Sequence, residues 1–277
     1  MTVKTIVTGA TGFIGNLFVK STFNNFDLIC VGREDRKISH DLKQYSIENI
    51  PEQFLFDKVN VLHLATHYSK NINDSNKIKE ANIDFGKSLL RRLNQDNILN
   101  FIYTNTMFVF DEKNQEHYYT KSKIEFAKLV KQFMDEKKIS EIFLDNTFHI
   151  SDTRAKIIPE IVYAVKNNKK NPINNPKVYI NLTFTPDIIT ALTAEIQSPT
   201  HINSRITSDV DVNIGSIFEF LKDVKDQKNF DSSILTTEPS RYIGDQSIPP
   251  LNLNFIETNL HNNLANLILN KNHKWKK

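Results

Sequence analysis

The chain has 277 residues, 39% of them hydrophobic, with 35 Lys and Arg against 32 Asp and Glu for a net charge of +3. That is enough chain for one large α/β domain, or one domain with a small appendage. The basic residues are scattered apart from the tail Lys271 to Lys277, so no patch asks for nucleic acid and an anionic small molecule suffices. A single cysteine, Cys30, excludes an intramolecular disulfide and a multi-cysteine metal site, so no metal is expected. No apolar run reaches the ~20 residues needed to span a bilayer, and a first strand stands where a signal peptide would, which points to the cytoplasm.

The first element is the stretch Thr5 to Gly15. Ile6 and Val7 are β-branched and lead into Gly9, Gly12 and Gly15, after which Leu17, Phe18 and Val19 continue with helical spacing. Strand, tight turn and helix in that order form a dinucleotide cradle. Gly9 permits the turn, Gly12 lets the backbone approach a pyrophosphate, and Gly15 lets the helix pack on the strand. The helix start at Thr11, Phe13 and Ile14 then faces the phosphates with its partial positive charge. The spacing is GxxGxxG, and the plain alternative is a strand-to-helix turn that binds nothing.

A second strand over Phe26 to Arg33 ends in Gly32-Arg33. A carboxylate there would hold the ribose 2′-hydroxyl of NAD, whereas a small residue followed by arginine leaves room and charge for a 2′-phosphate, so NADP(H) is the expected cofactor. The alternative is an ordinary solvated loop arginine. A short strand around Ile38 brings Asp41 and Leu42 to the adenine, and residues 46–56 read as a polar helix or loop around Pro51. Lys58 to Thr66 is a near-continuous apolar run, as expected of a parallel strand buried on both faces. Its end, Leu64-Ala65-Thr66, lies where a cofactor would lie. His63 inside it reads as a core histidine, and His67 beyond it as a residue placed to touch substrate.

Residues 74–95 are predicted helical, with Ile78, Ala81, Asn82, Phe85, Leu89 and Leu93 on one face. Asn82 is the anomaly, because a buried asparagine needs partners, and the next strand's catalytic region is the expected source. Phe101 to Phe110 reads as the next strand and carries Thr104 and Thr106. On the helix that follows, Tyr119 and Lys123 stand at i and i+4 and share a face. A lysine there lowers the phenol's pKa, so that Tyr119 can exchange a proton with a substrate oxygen near neutral pH. Alternation of strands and helices at this spacing predicts a Rossmann-type doubly wound parallel sheet. A further strand over Ile142 to Ile150 closes the pattern, giving a nucleotide-binding domain over 1–150. Residues 151–277 are then a smaller substrate-binding region with segments that return to the sheet, punctuated by prolines and carrying helices over Ser216 to Val224 and Leu260 to Leu269.

With Thr8-Gly-Ala-Thr-Gly-Phe-Ile-Gly15, His63-Leu-Ala-Thr66, Asn82, Thr106 and Tyr119-x-x-Ser-Lys123 in order, the sequence resembles the extended short-chain dehydrogenases/reductases, the sugar-nucleotide epimerase, dehydratase and reductase superfamily. The resemblance implies Thr106, Tyr119 and Lys123 as catalytic residues, Thr104 being the alternative hydroxyl. It implies Asn82, Thr104, Tyr119 and Lys123 at the cofactor, and His67, Thr106, His149 and Arg241 at the substrate. Arg241, in Glu238-Pro-Ser-Arg-Tyr, resembles the family arginine that clamps a nucleotide-sugar pyrophosphate. Asp145 stands where the family usually has an arginine, and Ile150-Ser151 replaces its Tyr-Gly.

Family dehydratases place an acid–base pair after the catalytic hydroxyl; Met107 and Phe108 cannot do that work. What remains is NADPH-dependent reduction of the C4 keto group of a nucleotide-linked 4-keto-6-deoxyhexose, in bacterial-type deoxysugar and O-antigen synthesis, or nucleotide-sugar 4-epimerisation with NAD(P). Gly32-Arg33 and the similarity to the CDP-abequose and CDP-paratose synthase branch favour the reductase. A binding-only member that has lost catalysis is the alternative of another class. The resemblance also implies a homodimer paired through helices 74–95 and 120–135, with Leu89, Leu93, Phe126, Leu129 and Phe133 at the interface.

Overall fold

The computed structural model describes residues 4–38, 42–69, 71–226, 232–243, 247–251 and 260–270. The chain forms two compact units, Met1–Leu144 with Ile189–Arg205, and Asp145–Ile188 with Ile206–Lys277. The first opens with β1 (Lys4–Thr8), α1 (Phe13–Thr22) and β2 (Asp27–Val31), and β1 and β2 pair in parallel with Ile6 opposite Ile29. An edge follows from β3 (Arg36–Lys37), antiparallel to β4 (Lys43–Tyr45), which pairs in parallel with β2. In residues 46–56 only α2 (Glu52–Phe56) is helical, because Pro51 cannot continue a helix from before but suits its start.

The chain then crosses to the other side of β1. The strand β5 (Val59–His63), wholly buried, pairs with β1, and β6 (Ile98–Thr106) pairs with β5. Between them run α3 (Ser75–Lys79), a π-helical turn over Glu80–Asp84, and α4 (Phe85–Arg92). After β6 come α5 (Glu112–Gln115), α6 (Tyr118–Phe133) and β7 (Ile139–Leu144), parallel to β6. Strand order reverses at β1, which makes the sheet doubly wound, α/β and of Rossmann type.

In the second unit β8 (Asn146–Phe148) is followed by α7 (Ile157–Lys166) and β9 (Tyr179–Phe184). The helix α8 (Thr185–Gln197) then leads back to the first unit, where β10 (Ser204–Ile206) forms the edge of the large sheet beside β7. The remainder, β11 (Val210–Asn213), α9 (Ile214–Lys225), β12 (Thr237–Pro239) and α10 (Leu260–Leu269), completes the second unit. Its four-stranded sheet has the order β12-β11-β9-β8, with a core of Phe148, Ile161, Leu182, Val212, Phe220 and Leu264 among others.

Two strands differ from the expectation, for the same reason: an apolar run does not show where a strand stops. The run to Phe110 is strand only to Thr106, whose hydroxyl accepts from the Phe108 N–H at 3.3 Å and starts a 3-10 turn over Met107–Phe110. The run expected over 142–150 is two strands in two sheets. The backbone leaves the first at Asp145, whose carboxylate accepts from the Tyr242 hydroxyl at 2.6 Å, and Asn146–Phe148 pairs with β9. The residues expected at a dimer interface are also placed otherwise. Leu89, Leu93, Phe126 and Leu129 lie in the core between helices and sheet, with Phe133 packed against it. Covering the sheet uses those five side chains.

Candidate active site

The cradle sits at the switch point between β1 and β5. Gly9 has φ +71°, and a Cβ on it would stand 2.6 Å from the Ala65 nitrogen and the Leu64 carbonyl carbon, so the two strand ends touch only because residue 9 is glycine. A Cβ on Gly15 would collide with the Gly9 backbone, which confirms helix-to-strand packing as its use. The Gly12 N–H donates to the Gly9 carbonyl at 2.8 Å and closes the turn, leaving α1 to begin at Phe13 and Ile14 with Thr11 exposed beside them. Thr8, which the sequence reading passed over, joins the two strand ends. Its hydroxyl accepts from the Ala65 N–H at 3.2 Å and bonds His63 Nδ1 at 3.0 Å. His63 is a core histidine: its ring lies 4.8 Å from that of Phe126, and burial, helped by the Lys123 charge, pushes its pKa down to about 3.

Beyond β2 the geometry is less open than expected. Arg33 is exposed, but the space beside Gly32 is filled by the side chain of Gln44, which donates to the Glu34 carbonyl at 3.0 Å. The room read from a small residue at 32 is therefore taken, and the 2′-phosphate reading rests on Arg33 alone. Leu42 is half-buried and its carbonyl accepts from the Ile38 N–H, while Asp41 lies outside the described residues.

Asn82 accounts for its own burial. From the π turn its Oδ1 accepts from the His67 N–H at 2.6 Å and the Thr66 hydroxyl at 3.2 Å, and its Nδ2 donates to the His67 carbonyl and to Ser122 Oγ at 2.8 Å. Ser122 in turn donates to the Tyr119 carbonyl at 2.6 Å. One amide thus ties the loop after β5 to the helix that bears Tyr119, and single π turns are frequent at such places. The loop's Tyr68 sets its ring edge-on to Tyr119, centroids 4.9 Å apart. His67, clamped at both backbone groups, leaves its Nε2 with no hydrogen-bond partner among the described residues.

Lys123 lies one turn after Tyr119 and is buried, with Nζ donating to the Thr104 carbonyl at 2.7 Å. The bond fixes α6 to the strand that ends in Thr106. Burial drives the Lys123 pKa down to about 8, and the carboxylate of Glu141 opposes the fall. In the second unit Arg241 donates from Nε to Asp211 at 2.6 Å and from a terminal nitrogen to the Tyr179 carbonyl at 2.7 Å. Burial opposes ionisation of Asp211, but Asn181 and Arg241 outweigh it and hold its carboxyl below the usual range. Half of the Arg241 side chain stays exposed, so the guanidinium is aimed and partly available. His149 packs against Phe184, and its Nδ1 accepts from the Ser151 N–H at 3.1 Å.

A glycine turn at the switch point of a doubly wound sheet, with a tyrosine and a buried lysine one helical turn apart beside a strand ending in threonine, defines a dinucleotide-dependent enzyme of the short-chain dehydrogenase type. The chain belongs to the NAD dependent epimerase/dehydratase family, whose model matches residues 5–215. No curated protein matches it in sequence. Among solved structures it is similar to the UDP-N-acetylglucosamine 4-epimerase of Methanobrevibacter ruminantium M1 in complex with UDP-N-acetylmuramic acid, at 18% identity over 97% of this chain and 98% of that one, TM-score 0.73. It is similar to the UDP-N-acetylglucosamine 4-epimerase of Bacillus cereus, at 14% identity over 97% and 100%, TM-score 0.69. It is also similar to the Bordetella bronchiseptica enzyme WbmH in complex with NAD+, at 16% identity over 84% and 85%, TM-score 0.68.

Proposed function

We propose that this chain is a nucleotide-sugar 4-epimerase working through a tightly held pyridine nucleotide. The observation that carries the reading is Lys123, buried on the Thr104 carbonyl one turn from Tyr119 and near the end of the strand bearing Thr106. A binding-only protein has no use for a lysine kept in the interior at such cost. The 4-epimerase names of two structural neighbours support the reaction class, and Met107 and Phe108 after Thr106 give no acid–base pair for dehydration. A bound nicotinamide would accept hydride from C4 and return it.

On this reading Tyr119 takes the proton from the C4 hydroxyl and gives it back, while Thr106 holds the C4 oxygen by a hydrogen bond. Lys123 keeps a positive charge near the phenol and stabilises its ionised form. Gly9, Gly12 and the start of α1 take the cofactor's pyrophosphate, and Arg241 takes the sugar-nucleotide diphosphate. The second reading is NADPH-dependent reduction of a 4-keto-6-deoxyhexose, favoured by the exposed Arg33. The two readings share every role except the fate of the hydride.

The test is a set of UDP-, CDP-, dTDP- and GDP-linked sugars followed by NMR, without added cofactor for epimerisation and with NADPH for reduction of 4-keto-6-deoxy sugars. A C4 epimer formed without net NADPH oxidation is expected. Stoichiometric NADPH consumption moves the function to the second reading. In either case Tyr119→Phe should lower turnover by roughly 10²–10⁴-fold, and a wild-type rate for that variant would remove the acid–base role.

A further inference from the structure

We infer that Glu141 is a positioning residue for the Thr106–Tyr119–Lys123 constellation, fixing the end of β6 through Asn105. The inference rests on the proposed C4 chemistry. Glu141 is an acid in the middle of β7, a strand buried along its whole length, and is only 4% exposed. In the parallel register it stands opposite Tyr103, two residues before Asn105 on the same face of β6. Asn105 Nδ2 donates to Glu141 Oε1 at 2.6 Å, and Asn105 Oδ1 accepts from the N–H of Thr106 at 2.8 Å. The carboxylate thus orients the amide that holds the backbone of Thr106, at the residue where the strand gives way to the 3-10 turn.

The same carboxylate acts through space on Lys123, whose ammonium is anchored on the carbonyl of Thr104, between Tyr103 and Asn105 in the chain. The groups facing the pair are His63 toward Lys123, and Tyr103, Asn105 and Lys131 toward Glu141. Burial pushes the Glu141 carboxyl up and Asn105, Tyr103, Lys131 and Lys123 oppose the rise; with His63 neutral and Lys131 half-exposed, Glu141 is the buried acidic group facing Lys123. An apolar residue would fill a buried strand position more cheaply. A carboxylate there is explained by the two catalytic positions that it serves.

Two variants separate the two effects. Glu141→Gln retains an acceptor for Asn105 and removes the charge, whereas Glu141→Leu removes both. In the substrate screen, Glu141→Leu is expected to lower kcat about tenfold or more with KM for the sugar nucleotide little changed, and to move the Thr106 amide resonance in a 15N–1H spectrum. Glu141→Gln should restore that resonance and most of kcat at about pH 6, where Lys123 stays protonated in both proteins. It should also shift the alkaline limb of the kcat profile, where Lys123 loses its proton, to lower pH by about one unit. A direct 15N titration of Lys123 should show the same shift in the absence of substrate.

If wild type turns over none of the sugars while the resonance and the Lys123 titration respond as stated, the C4 reading fails and the positioning survives. If Glu141→Gln leaves the Lys123 titration and the profile where they were, or Glu141→Leu keeps the wild-type Thr106 resonance and kcat, the inference is overturned. Should Glu141→Leu not fold, the Gln variant and its titration decide alone.

Discussion

Replacing Lys123 by methionine should stabilise the protein at neutral pH while disabling it. Its ammonium titrates near 8 in the native state against an ordinary 10.5. The gap of about 2.5 pH units corresponds to roughly 3 kcal/mol at 1.36 kcal/mol per unit. The sign follows from proton binding. Below pH 8 both states carry the proton and the native state bears the whole cost of the buried charge. Between 8 and 10.5 the unfolded chain binds more protons, so stability rises with pH, and above 10.5 the cost is gone. Methionine removes the charge, but it also gives up the bond to the Thr104 carbonyl, worth about 1–2 kcal/mol, and the balancing of Glu141. A net gain of about 1 kcal/mol at pH 7 remains, or about 3 °C in Tm. Thermal unfolding of wild type and variant from pH 7 to 11 measures it, and the difference should shrink above pH 8, reverse near about pH 9, and level off above 10.5 with the wild type ahead. A variant less stable at pH 7, or a difference that does not vary with pH, would refute the reasoning.

Gly9→Ala places a Cβ 2.6 Å from the Ala65 nitrogen at a positive φ and should cost about 2 kcal/mol or more and abolish dinucleotide binding, measured by thermal shift and by fluorescence titration. Asn82→Leu leaves the His67 N–H and carbonyl unpaired and should cost about 2–4 kcal/mol in denaturant unfolding; a neutral outcome would mean that the 66–68 loop does not depend on the amide. Arg33→Ala should reduce the NADPH to NADH affinity ratio about tenfold, the scale of one charge-assisted bond. An unchanged ratio removes Arg33 from the cofactor site.

The doubly wound sheet was legible because its signals are local. β-branched runs, glycines at a strand end and a YxxxK helix each follow from nearby residues, whereas the partners of Asn82, expected on the next strand, came instead from the 66–67 loop and from Ser122 on α6. Strand ends were not legible, since Thr106 and Asp145 end their strands through a cap and a distant tyrosine that no periodicity records. Gln44 escaped notice because the space beside Gly32 is filled from a neighbouring strand. Glu141 did leave a signal, a lone carboxylate in an otherwise apolar stretch, but the strand was read as starting one residue after it. The side chains expected at a dimer interface carried ambiguity of another kind. An apolar helix face looks the same whether it meets a sheet of its own chain or a second copy.

The return of residues 189–205 to the first unit bears on how the protein is made. Asn60 donates to the Ile196 carbonyl at 3.1 Å, and Ser140 to Glu195 at 2.5 Å, so two buried polar groups of the central sheet find their partners some 55 to 136 residues downstream. On the ribosome the nucleotide fold therefore cannot close when its last sequential strand emerges. For roughly ten seconds, at about 5 residues per second, the nascent chain would carry an unfinished sheet with polar side chains exposed. A fragment ending near residue 150 inherits that state permanently, and should be soluble only while something else covers the strip that α8 leaves bare.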